Sequence, residues 1–504
     1  MDSHLDVLII GAGVSGIGAA CHLVRDCPTK TFAILERRVE LGGTWDLFRY
    51  PGIRSDSDMY TFGFDFRPWH DTKVLADGTS IREYVRATAK EHGVLSRIRF
   101  GIRVAGASWS TERGHWTVTA VEEATGAVTE LTANFLIGAT GYYDYDSGYR
   151  PAFPGAERFS GPVVHPQHWP QDLDYAGKRV VVIGSGATAV TLVPAMAERA
   201  GHVTMLQRSP TYIVSLPAQD KISAVLQRFL PTRVVYQLGR VRNVGFQRAI
   251  YALAKRYPRF VRNLVVKGAE RQLRGAAELR HFMPKYDPWD QRLCVVPDGD
   301  LFRAIRDGRV GVVTDEVETF TETGIRLRSG AELDADVIVA ATGLNLRMLG
   351  GATLEVDGRP VEVNRLLTYK AVLLEDVPNA ALVFGYVNAS WTLKADLAAR
   401  YVCRLLNYLD DRGHTQVVAR AAAADRTEES VLSALNAGYV RRGNDMLPRQ
   451  GTHGPWRVTN NYLRDARMLR YGPIADPALR FTTSPATAPA RVSRSGKRVS
   501  RSGN

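Results

Sequence analysis

The sequence predicts an α/β protein of two Rossmann-like dinucleotide-binding domains, the second inserted in the first, with an added helical insertion. Three observations carry this expectation. A glycine-rich fingerprint follows a β-branched run twice, at "VLIIGAGVSG" and "RVVVIGSGATAV". Two apolar strands, "ANFLIGATGYY" and "ADVIVAATGLN", end in the same Ala-Thr-Gly, as strands do where the chain passes between the units of such folds. The chain is 504 residues long, more than one hydrophobic core organises.

At the first fingerprint, Gly11 permits the tight turn, Gly13 lets backbone approach a pyrophosphate, and Gly16 lets the helix pack on the strand. The helix N-terminus adds positive potential. A lone GxGxxG is weak, but "TFAILER" supplies a second strand ending in Glu36, the acid that holds ribose hydroxyls in such units. At the second fingerprint the corresponding positions are Gly184, Gly186 and Ala189, and the next strand, "HVTMLQRSP", carries Gln207 and Arg208 where the first has Glu36 and Arg37. Loss of the acid with retention of an arginine suits a 2′-phosphate and favours NADP over NAD; a merely solvated Arg208 is the alternative. Two dinucleotides of unlike ribose chemistry imply electron transfer between unlike cofactors, FAD at the first fingerprint and NADPH at the second.

Hydrophobic residues make up 45% and charged residues 23% of the chain, as in ordinary globular proteins. The cysteines, at 21, 27, 294 and 403, are few and scattered, which argues for a reducing compartment and against a disulfide framework. No CxxC pair is present, so redox-disulfide flavoenzymes are set aside. The uncharged run "VLIIGAGVSGIGAACHLV" imitates a signal sequence, but the preceding "MDSHLD" is acidic where a signal peptide needs positive charge. A strand–turn–helix in a cytoplasmic protein is therefore expected. The net charge of +13 is uneven. Residues 221 to 280 hold fourteen Lys or Arg against Glu270 and Glu278, interleaved with apolar residues at helical spacing. Solvated faces of a helical insertion explain this, and peripheral contact with the inner face of the cell membrane is the sharper reading. Nucleic acid is not expected, because no binding motif accompanies the charge. The terminal "RVSRSGKRVSRSGN" carries five basic residues and no acid and reads as a disordered tail.

The stretch "FSGPVVHPQHWP" joins the first Ala-Thr-Gly strand to the second fingerprint. His165 and His168 invite a metal-site reading, but Pro166 breaks a helical ligand pair and no Cys or carboxylate lies alongside, so no metal is expected. Pro162, Pro166 and Pro170 stiffen it, and His165 and Trp169 are expected to anchor it as a strap between domains.

This stretch, as Phe159, Gly161, His165, Trp169 and Pro170, resembles the signature of the flavin-dependent Baeyer–Villiger monooxygenases, the class B flavoprotein monooxygenases. A second signature of that family is matched by "GGTWDLFRYPGIRSD", through Gly42, Gly43, Trp45, Tyr50, Pro51, Gly52 and Asp56. The resemblance covers nearly the whole chain and is strongest to an actinobacterial branch. It implies FAD contacts at Gly11, Gly13, Ser15, Gly16, Glu36, Thr44, Trp45, Asp46, Leu47, Asp56, Tyr60 and the backbone of Val104. It implies NADP contacts at Arg54, Ser55, Ile183, Gly184, Ser185, Gly186, Ala187, Thr188, Ala189, Gln207 and Arg208. The catalytic pair implied is Arg292, in "DQRLC", held or repositioned by Asp56. Many family members carry Lys-Arg there; this chain has Gln291-Arg292, one cation fewer near the nicotinamide cofactor. Asn388 and Trp391, in "GYVNASWTLKADL", are expected near the flavin.

The activity implied is NADPH- and O2-dependent insertion of one oxygen atom into small hydrophobic ketones, giving esters or lactones by way of a C4a-peroxyflavin, with oxygenation of thioethers or thioamides on the side. A guanidinium suits this chemistry because it keeps its charge at any working pH and favours an anionic nucleophilic oxygen. An S- or N-oxygenase and a non-catalytic membrane-associated flavoprotein are the alternatives. The expected division is an FAD domain over 1–145 and 366–485, an NADP domain over 146–215 and 284–365, the basic helical insertion over 216–283, and the tail over 486–504.

Overall fold

The computed structural model describes residues 4–291 and 293–483. Arg292 and the terminal Arg/Ser repeat, and with them the expected tail over 486–504, lie outside the described residues.

The first fingerprint strand, His4–Ile10, sits inside an 11-stranded sheet. It pairs in parallel with Phe32–Glu36 on one side and with Val128–Gly138 on the other, and Ile98–Phe100 extends the parallel set beyond Phe32–Glu36. Val7, Leu8 and Ile9 are fully buried, as a parallel strand covered on both faces requires. Each such side chain contributes roughly 1.5–3 kcal/mol relative to exposure. An antiparallel meander, Ile102–Ser110, His115–Glu122 and Val128–Gly138, carries the same sheet away from the parallel strands.

The second sheet has five strands, all parallel, in the order Val310–Thr314, His202–Gln207, Arg179–Ile183, Val337–Ala340, Val163–Val164. It lies wholly within the span of chain between strands of the first, so one Rossmann-like unit is inserted in the other, as expected. The two crossings run side by side, because Tyr143–Gly148 pairs antiparallel with Leu344–Leu346. Thr353–Val356 then joins the first sheet beside Ile102–Ser110, before the expected boundary at residue 365. This short strand, "TLEV", carries no periodic signal that would have marked the return.

The basic stretch folds as three helices, Lys221–Leu226, Thr232–Arg256 and Pro258–Leu273. The second places Val235, Tyr236, Gly239 and Arg240 inward, where Arg240 donates to the carbonyls of Tyr60 and Gly63. All four cysteines are buried and none is in a disulfide. Among the described residues, no helix is long and apolar enough to cross a membrane.

Candidate functional site

A cavity of about 770 Å3 runs from the first fingerprint to the helical insertion. Its inner end follows from glycine geometry. Gly11 has φ +103°, and a Cβ there would press on the Ala139 carbonyl. A Cβ on Gly16 would collide with the Gly11 carbonyl, so helix Val14–Asp26 lies directly on its strand. Gly13, the N-cap of that helix, offers no side-chain cap, which leaves backbone N–H groups facing the cavity. Glu36, buried, accepts from the N–H groups of Ala12 (2.6 Å) and Arg38 (2.9 Å). Burial raises its pKa above the ordinary carboxylate value, against those two donors.

Of the expected FAD contacts, Gly11, Gly13, Ser15, Glu36, Thr44, Trp45, Asp56 and Val104 line this cavity. Gly16, Asp46, Leu47 and Tyr60 do not, each for a visible reason. Gly16 faces the strand. Asp46 is buried behind the wall in ion pairs with Arg38, Arg49 and Arg82. Leu47 packs in the core of the second unit, and Tyr60 packs on Tyr236 with its ring centroid 5.8 Å away.

The middle of the cavity lies where the two units meet. Arg54 lines it and pairs with Asp300 (2.6 Å), the first residue of helix Asp300–Arg306 in the second unit. Ser55 lines it too. The second fingerprint repeats the first in detail. Gly184 has φ +139° and leaves no room for a Cβ against the Ala341 carbonyl, while Gly186 caps helix Ala187–Met196 without a side-chain bond and has open space before it. Ala187 and Thr188 reach the cavity, whereas Ile183, Gly184, Ser185, Gly186 and Ala189 do not line it. Gln207 and Arg208 do not line it either. Gln207 is buried, donating to the His281 carbonyl and the Thr314 hydroxyl, and Arg208 stands exposed at its strand end.

The outer end is apolar. Phe246, Ile250 and Tyr251 on one helix of the insertion, and Val261, Leu264 and Val265 on the next, form a wall that sequence reading did not single out. Its signal was present in the i, i+4 pairs Phe246–Ile250 and Val261–Val265, without any sign of which face meets the cavity. Opposite stands the start of helix Trp391–Arg412. The Trp391 indole N–H donates to the Ser15 hydroxyl (2.8 Å), tying this helix to the first fingerprint. Asn388 also lines the cavity. Asn388 Oδ1, Ser390 Oγ and Arg54 Nε, on residues that line the cavity, are buried side-chain atoms without hydrogen-bond partners. Together with the uncapped helix N-terminus and the glycine cradle, they fit an elongated polar ligand such as a dinucleotide. Gln291 and Leu293 line the cavity on either side of Arg292, which itself lies outside the described residues.

The strap is anchored as its sequence suggests. Val163–Val164 is the edge strand of the second sheet. His165 Nδ1 accepts from the Gln167 N–H, so its Nε2–H donates to the Gly343 carbonyl (3.1 Å), the glycine of the second Ala-Thr-Gly. Burial lowers the His165 pKa, which keeps this neutral tautomer, and Trp169 packs edge-on to Tyr175. Elsewhere, His22, Asp65 and Asp396 lie within ligand reach of one another. Arg400 and Arg470 already pair with both carboxylates, so the cluster is an ion-pair network by chemistry.

A profile of flavin-binding monooxygenase-like proteins matches residues 5–439. The chain is 56% identical over 488 residues to MymA of Mycobacterium tuberculosis, named as an FAD-containing monooxygenase, covering 96% of this chain and 99% of the relative. It is 55% identical over 488 residues to the FAD-containing monooxygenase EthA of the same species, with the same coverage. The fold resembles that of an oxidized steroid monooxygenase bound to NADP, with a TM-score of 0.74 at 24% identity, over 95% of this chain and 100% of that one.

Proposed function

The chain belongs to the flavin-binding monooxygenase-like family, and from that premise we propose that it is an FAD-containing, NADPH- and O2-dependent Baeyer–Villiger monooxygenase. It inserts one oxygen atom into ketones to give esters or lactones, and oxygenates thioethers or thioamides as a side activity. One observation carries the reading: a single cavity joins the first glycine fingerprint, the Arg54–Asp300 junction with the second unit, and an apolar wall. MymA and EthA are FAD-containing by name, and the steroid monooxygenase binds NADP, in keeping with both cofactor assignments.

When bound, FAD would activate O2 and NADPH would supply the electrons. The backbone around Gly11 and Gly13 takes the FAD pyrophosphate, and Glu36 is the acceptor for ribose hydroxyls. Trp391 fixes Ser15 beside them. The second fingerprint and Arg208 take NADPH. The insertion helices receive the carbon skeleton of the substrate and exclude water, which protects a reactive oxygen from hydrolysis. Arg292 places a permanent positive charge where negative charge develops on oxygen, and Asp56 positions it.

The test is Arg292→Ala. The variant keeps NADPH-driven bleaching of flavin absorbance and loses ester formation; undiminished ester would remove Arg292 from this role. In the wild type, sulfoxide formation with ketones untouched would assign the enzyme to sulfur oxygenation instead.

A further inference from the structure

Exposed apolar side chains on this protein are concentrated in one place. Of nineteen large ones among the described residues, eleven fall between residues 221 and 280, a span of sixty in 504. Scattered exposed hydrophobics need no explanation, but a concentration of them marks a contact surface.

Helical geometry gathers them. Val234, Leu238 and Val241 follow at i, i+4 and i+7 on helix Thr232–Arg256, opposite the face buried on the first unit. Phe260 and Leu264 stand one turn apart on helix Pro258–Leu273, and the two helices pack together. Phe246 and Leu264 are 60% and 54% exposed and yet line the cavity. They therefore mark a mouth that opens onto this apolar face, with Ile250 and Val261 lining the cavity one turn away from them on each helix.

The charge around the face selects its partner. Fourteen Lys or Arg stand against two acids in this stretch, and Arg233, Arg248, Arg259 and Lys267 are exposed without a carboxylate partner among the described residues. Pairing with a second copy of the chain would bring two such cationic faces together, which repulsion opposes. An anionic bilayer offers the complement, with headgroups for the cations and acyl chains for the apolar stripes. No described helix is long and apolar enough to cross, so contact stays at the surface.

We propose that the helical insertion docks on an anionic phospholipid surface and that the mouth marked by Phe246 and Leu264 is the portal by which apolar substrate passes from the bilayer to the cavity. The docking stands on the surface alone; the portal rests on the monooxygenase reading.

The experiment uses the full-length holoenzyme, floated with vesicles of phosphatidylglycerol and phosphatidylcholine in equal parts or of phosphatidylcholine alone. The protein floats with the anionic vesicles and is released by high salt, and it floats about ten-fold less with the neutral ones. A variant combining Phe229→Ser, Val241→Ser and Phe260→Ser, none of which lines the cavity, loses about ten-fold in flotation. It keeps turnover of a small water-soluble ketone and loses turnover of a long-chain ketone held in vesicles. Should the triple variant lose its flavin, Arg233→Glu with Arg259→Glu must lower flotation in its place. Flotation that ignores lipid charge, flotation unchanged in both variants, or light scattering that shows the face buried in a dimer overturns the docking. Equal loss on soluble and vesicle-borne ketone overturns the portal. If no ketone is oxidised at all, the Baeyer–Villiger reading fails while flotation still decides the docking.

Discussion

Gly16 shows how much one residue can specify. Its missing Cβ is what lets helix Val14–Asp26 rest on the Gly11 carbonyl, so Gly16→Ala overpacks the turn at a cost of about 1–3 kcal/mol. We expect a lower Tm and a smaller flavin-to-protein absorbance ratio in the purified variant; unchanged flavin content would separate this turn from FAD binding. Arg208 makes the complementary case in the second unit. It stands exposed at the strand end, where a charge-assisted contact to a 2′-phosphate contributes about 1.5–3 kcal/mol. Arg208→Ala is therefore expected to raise KM for NADPH about ten- to a hundred-fold while leaving NADH kinetics unchanged. An equal change with both nucleotides would mean that Arg208 does not read the phosphate. These residues were legible in the sequence because the chemistry constrains their type: a turn that admits only glycine, an acid in one unit and an arginine in the other. Asp46, Leu47 and Tyr60 were carried by resemblance alone, and their side chains turn to ion pairs and core packing.

At the scale of elements, the fingerprint helix is locked to the helix that begins at Trp391. The Trp391–Ser15 hydrogen bond holds one end. Further along, His22 Nε2 donates to Asp396 (2.7 Å) and Nδ1 faces Asp26 (3.2 Å). Burial alone would depress the His22 pKa, but the Asp396 charge and the hydrogen bonds outweigh it and push the pKa up to about 9. Asp396, despite its burial, is held well below the ordinary carboxylate range by His22. With the folded pKa raised from 6.5 to about 9, the His22 contribution is complete below about pH 6.5 and drains away as pH rises through about 9, an effect of roughly 2–4 kcal/mol. The Asp396 contribution fades only at acid pH. Thermal unfolding of the wild type should therefore weaken between about pH 6.5 and 9, and His22→Gln should flatten that slope; a parallel slope in the variant would assign it to other groups. No periodicity announces this lock, because its partners lie 374 positions apart and each reads separately as an ordinary polar residue in a helix. The strap, by contrast, was legible from its prolines and histidine, since a stiff crossover needs an anchor, and His165 supplies it through Gly343.

Across the whole molecule, the two units are built alike at their glycine fingerprints, and the helical insertion of one of them sets them apart. At each fingerprint's first glycine a Cβ would press on the alanine carbonyl of an Ala-Thr-Gly, Ala139 in one and Ala341 in the other, so the repeated tripeptide in the sequence reports the same close approach in both sheets. The apolar wall was hidden, because the pattern of helices Thr232–Arg256 and Pro258–Leu273 shows that they are amphipathic but not that both faces are used, one toward the cavity and one toward the surroundings. On the proposed reading, FAD, NADPH and an apolar ketone meet in the cavity between the two units. That reading is tested by incubating the purified yellow protein with NADPH, isotopically labelled O2 and a methyl ketone, and weighing the product. The expected product is an ester carrying one labelled oxygen atom for each NADPH consumed. NADPH consumption that leaves the ketone intact, while a thioether in the same tube becomes a labelled sulfoxide, would contradict it.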